Sequence, residues 1–211
     1  MKILRVTCCL FVLLLFLVAF TFSTTAPRAH AAGSGSTTVF RFHGMSAFAF
    51  FDNVSSDGCI DTSVSVDGFQ NTVNKQTTSG ADIFIDQFDL CTNTELLAAE
   101  GSTLNANFQV GKKLVSASLN TTISVTDFVS GNTFDVSVNL TWTSTSAIAH
   151  EISSFHFHTK GFTENGHFNA DFRDANASGT VSDGMTNFTP SQSVFAQIFS
   201  AKEVDVTITR P

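Results

Sequence analysis

Residues Val115 to Trp142 read VSASLNTTISVTDFVSGNTFDVSVNLTW. In the first arm Val115, Ala117, Leu119, Ile123 and Val125 take the odd positions. Ser116, Ser118, Asn120, Thr122, Ser124 and Thr126 take the even ones. Successive side chains of a strand point to opposite faces, so a period of two means one buried face and one wet face. The second arm repeats the pattern, with Phe134, Val136, Val138, Leu140 and Trp142 against Asp135, Ser137, Asn139 and Thr141. Ser130-Gly131 between the arms suits a tight turn, because glycine accepts positive φ without a Cβ clash. The stretch therefore predicts an antiparallel hairpin with one solvated face.

Working outward, the same alternation recurs along the chain. Residues 38–52 (TVFRFHGMSAFAFFD) read as two strands, or as one long strand bent at Gly44. Residues 59–69 and 81–91 are further strands. Residues 94–101 (TELLAAEG) fit one helical turn or an edge strand equally well. Short strands follow the hairpin to the carboxyl end, with Gly- and Asn-rich turns between them. No stretch is a convincing amphipathic helix. The expectation is an all-β fold, an antiparallel β-sandwich of roughly ten to twelve strands.

A duplicated hairpin unit would explain one internal match. Residues 62–69 (TSVSVDGF) resemble residues 121–128 (TTISVTDF) in the same apolar phase, and a Ser-Gly and a second strand follow each. The alternative is chance similarity among strands rich in Ser, Thr and Val.

At the amino terminus Lys2 and Arg5 precede an uncharged apolar run from Val6 to Phe22. Pro27 and Ala29-His30-Ala31 follow. A charged start, an apolar run and a small-residue site predict a secretory signal peptide, residues 1–31, cleaved after Ala31. An uncleaved membrane anchor is the rival. Residues 32–37 (AGSGST) read as a flexible leader and residues 38–211 as a single domain. Cleavage would remove Lys2, Arg5 and Arg28 and no acid, taking the formal net charge from -7 to -10. A chain so acidic has no electrostatic footprint for nucleic acid or for an anionic membrane surface, so neither is an expected partner.

Cys59 and Cys91 are the cysteines that remain after cleavage. In an oxidising compartment a lone pair is expected to form a disulfide, here between the two ends of the upstream hairpin. On the duplicated reading Trp142 fills the corresponding space in the downstream hairpin.

One polar cluster carries candidate chemistry. In ISSFHFHTKGFTENGH, residues 152–167, His156 and His158 are two apart on a strand and face the same way, with Phe155 and Phe157 on the other side. Glu164 and His167 follow a turn, and the next strand could bring His167 beside the pair. Imidazoles plus a carboxylate can hold zinc or a similar divalent metal with a position open for water. The string SFHFHTKG resembles the zinc-binding strand of α-type carbonic anhydrases. The spacing of Glu164 and His167 departs from that pattern, and no activity is carried over. The alternative is a solvated histidine face opposite two core phenylalanines.

Other catalytic patterns are absent from the sequence. It has no GxSxG elbow. Its aspartates at expected turns (Asp52, Asp57, Asp67, Asp127 and Asp183) lack the spacing of a calcium loop. The favoured reading is a secreted, non-enzymatic protein of binding or structural type, acting on an extracellular ligand or protein and needing no cofactor. A metal-binding protein or metal-dependent enzyme using His156, His158, His167 and Glu164 is the alternative. An extracellular carbohydrate-binding module is the third reading. The chain has no Tyr and a single Trp, so that reading requires an exposed row of phenylalanines.

Overall fold

A computed structural model describes residues 36–73, 75–190 and 192–210; the expected signal peptide lies outside the described residues. The strands are β1 (Ser36–Val54), β2 (Ile60–Val73), β3 (Gln76–Asp89), β4 (Thr94–Thr103), β5 (Asn107–Val110), β6 (Ser116–Asp127), β7 (Thr133–Ser144), β8 (Ala149–His158), β9 (Thr163–Ser182) and β10 (Phe195–Arg210). Among the described residues the helical content is one 3-10 turn, Lys112–Leu114.

The quoted hairpin is β6 and β7. Ala117, Leu119, Ile123, Val125, Val136 and Trp142 are buried, and their Ser, Thr and Asn neighbours face water. Asp127 organises the turn. Its carboxylate accepts the backbone N–H groups of Ala98, Val129 and Ser130. Gly131 sits at φ 75°, with open space where a Cβ would be, so backbone conformation alone asks for glycine. Trp142 is fully buried, and its indole N–H donates to the carbonyl of Phe48 at 2.9 Å. A buried Trp needs such a partner to satisfy its one polar group.

Where the sequence predicts short strands, longer continuous ones form, and ten strands span the described residues. β1 is one strand with a bulge between Phe42 and Gly44. A Cβ on Gly44 would lie 1.8 Å from the carbonyl oxygen of Gln70, so β1 and β2 can approach only at a glycine. β10 has the matching irregularity between Ala201 and Glu203. β9 runs unbroken for 20 residues. The ambiguous segment at 94–101 is strand β4, with Ala99 and Gly101 opposite Ile85 and Ile83.

All the ladders are antiparallel. The strand order is β10-β1-β2-β3-β4-β6-β7-β9-β8, with β5 on β6, and β10 also pairs β9. These pairings join β1, β2, β3, β4, β6, β7, β9 and β10 into a closed ring. The core lies on one side of that ring, where Phe51, Val64, Ile85, Ile123, Leu140 and Ile198 are fully or almost fully buried.

β2 and β3 form the upstream hairpin. Val64 pairs Ile85 and Val66 pairs Ile83, just as Ile123 pairs Val136 and Val125 pairs Phe134 downstream. The two hairpins thus share register and inward phase at the matched residues. Cys59 and Cys91 are disulfide-bonded at the open end of the first, with Cα atoms 5.1 Å apart. Trp142 does not stand in for that cross-link: it is inside the core, whereas Cys91 is exposed.

Beyond the ring the sheet continues as a four-stranded arm. Residues 36–42 of β1, residues 203–209 of β10, residues 163–169 of β9 and β8 pair side by side. β2 and β7 do not reach this level.

Candidate functional site

The arm carries the histidines expected to matter. His156 and His158 share a face, and Phe155 and Phe157 lie on the other, as the period of two predicts. His167 returns to the histidine face on β9, opposite Ser154. Each imidazole is bound through Nδ1 to the residue across the ladder. His156 meets Asn165 Oδ1, His158 meets Thr163 Oγ1 at 2.7 Å, and His167 meets Ser154 Oγ at 3.0 Å. His150 donates to Asp171 at 2.6 Å, and Lys202 reaches the same carboxylate at 3.3 Å. The hydrogen bond from His150 and the Lys202 ammonium hold the Asp171 carboxyl below its ordinary range.

Glu164 does not join this set. It pairs with Phe157 and lies on the phenylalanine face, because the turn at 159–162 fixes a register that opposes them. Among the described residues no group of three or more His, Cys, Asp or Glu side chains is placed to hold a metal ion.

A second constellation lies on the outer face of β1 to β4. Between Arg41 and Lys112 the chain has nine acids and one base, Lys75. Asp57 and Asp89 bind backbone N–H groups in turns. Asp52 and Asp67, read from the sequence as turn residues, are inside strands. Asp67 pairs Asp82 across β2 and β3. Phe84 follows Asp82 on the same face, with Asp86 beyond it and Glu100 opposite on β4. Phe84 keeps 39% of its surface exposed, so its ring is open to solvent between three carboxyls.

These acids are uncomfortable there. Asp67 is buried and accepts a hydrogen bond from Ser46, while its Oδ2 has no hydrogen-bond partner among the described residues. Burial pushes the Asp67 carboxyl well above the usual range, and the Asp82 charge adds to it. Burial, then the charge of Glu100, raises Asp82 to about 6. Burial raises Glu100, and burial with Glu95 and Asp61 raises Asp86. A cationic group would relieve both the repulsion and the desolvation, and the Phe84 ring would add cation–π attraction.

The sequence signal for this face was a run with nine acids and a single base, Lys75, together with Asp82, Phe84 and Asp86 at alternate positions. What it could not show was which acids adjoin. Elsewhere, a cleft of about 240 Å³ between β5 and β6 is lined by Gln109, Ser116, Ser118 and Thr141 among others; it holds no titratable group. The chain matches no family model, no curated protein and no solved structure.

Proposed function

We propose that this is a secreted, non-enzymatic binding protein that takes a cationic group of an extracellular partner, such as a basic peptide segment, on the outer face of β2, β3 and β4. The carrying observation is the exposed Phe84 ring set among Asp82, Asp86 and Glu100, in a segment whose single base is Lys75. The amino-terminal pattern and the Cys59–Cys91 bond support the secreted compartment. Carboxylates steer a positively charged partner at long range, so binding weakens as salt rises.

Titration with an oligolysine peptide, followed by calorimetry at low and physiological salt, tests the reading. The expected result is salt-sensitive binding that is lost in the triple variant Asp82→Asn, Asp86→Asn, Glu100→Gln. It should persist in an equal-charge control, Asp135→Asn, Glu151→Gln, Asp174→Asn. No binding, or equal loss in both variants, would sink it.

A metal-binding protein is the second reading, kept by the common face of His156, His158 and His167. Elemental analysis of the purified protein beside His156→Ala and His158→Ala decides it: no stoichiometric metal after metal-replete growth ends that reading.

A further inference from the structure

β8 is the end strand of the sheet. Ten consecutive residue pairs join it to β9 without a bulge, and among the described residues no strand pairs its outer edge. An open edge presents a row of N–H and C=O groups that another strand can satisfy. Folded proteins usually block such edges with lysine, proline, a bulge or an inward charge. The other open edge of the arm, residues 36–42, has such protection: Arg41, paired with Asp205 at 3.6 Å, and the bulge at Phe42. β8 reads AHEISSFHFH and has none of these devices. Its single formal charge with neutral histidines is Glu151, and it exposes Ile152 at 62% and Phe157 at 52%.

We propose that β8 is a self-pairing edge, and that two copies of the chain join there in an antiparallel, two-fold pairing. The two arms then make one continuous sheet. Pairing that keeps the two faces distinct must be centred on a residue, and Ser153 and Ser154 are the central residues of β8. In either register histidines stay on one face and phenylalanines on the other. Across the edge from Phe157, which is 52% exposed in the single chain, the second copy places Ala149 in the Ser153-centred register and Glu151 in the Ser154-centred one, covering that ring. Glu151 falls opposite Phe155 or Phe157 and never opposite another acid. That matters for a chain of net charge -7, whose β1 to β4 face would repel its own copy. A two-fold pairing of one edge with itself closes at two copies rather than growing into a fibre.

Sedimentation velocity of the intact protein tests this. The expected species has the mass of two chains. The variant Ile152→Lys, Ser153→Lys puts like charges about the axis at exposed positions and is expected to give one chain with unchanged circular dichroism. As an independent check, the one of Ser153→Cys and Ser154→Cys that lies on the axis should form an intermolecular disulfide readily, whereas Thr122→Cys on the outer face of β6 should not. A single-chain mass at about 100 μM, which sets any Kd above the micromolar range, would overturn the proposal. So would a dimer untouched by the lysine variant, a larger open assembly, or cross-linking at both 153 and 154 no greater than at 122.

Discussion

At the scale of the residue, Asp82 is the informative one. Its carboxyl titrates near 6 in the folded chain, against an ordinary value of 3.8. The folded state therefore holds this proton more tightly than the unfolded chain does. Its contribution is present in full below about 3.8 and is lost as pH rises through about 6. Asp67, also raised by its burial, acts in the same direction. Asp57, Asp89, Asp127, Asp171 and Asp183 have lowered pKa values, so their stabilisation is lost only as pH falls below the ordinary range. The stability maximum should thus lie on the acid side of neutrality. Asp82→Asn is expected to stabilise the protein near neutral pH by on the order of 2 kcal/mol and to flatten the profile. Thermal melts of both proteins between about pH 4 and pH 7 check this; an unchanged slope in the variant refutes it. If a cation binds beside Phe84, the Asp82 proton leaves more easily, so oligolysine should bind more tightly as pH rises through the same window.

At the scale of the element, the β2–β3 hairpin shows how local pattern and cross-link cooperate. The Cys59–Cys91 bond sits beside the last ladder pair, Ile60 with Asp89, and closes a loop with a sequence separation of 32. In the chain-entropy model such a loop is worth about 3–4 kcal/mol, through the unfolded state. Urea unfolding with and without reductant should show that loss as a lower midpoint, and Cys59→Ser with Cys91→Ser should reproduce it. Equal midpoints would mean that the ladder alone fixes the hairpin. The pairing of these cysteines was legible because the two ends of a hairpin must meet. The fate of Glu164 was not. It depends on the register set by the turn at 159–162, and a slip of one residue would have put it with the histidines.

At the scale of the whole molecule, closure is the deciding feature. β10 is the last strand, yet it pairs β1 and β9 and completes the ring. Its Ile198 is fully buried in the common core. Removing residues 195–211 would open β1 and β9 at once and leave that core uncovered. The truncated chain is expected to lose cooperative thermal unfolding, monitored by near-ultraviolet circular dichroism. A cooperative transition like that of the full chain would show that closure is dispensable. Pairing the first strand with the last also makes contacts long-range in sequence, which places folding among the slower β-proteins.

The sequence by itself determined the all-β class, the inward face of each strand and the cysteine partners. Each of these follows from spacing within a hairpin: a period of two sorts side chains by face, and a turn brings two ends together. The tertiary structure alone decided that β9 and β10 are each one long strand, that β10 closes the ring, and that Asp67, Asp82 and Glu100 adjoin. Those outcomes depend on registers between strands and on which strand lies beside which. A pattern local to one strand carries no information about the residue across the ladder.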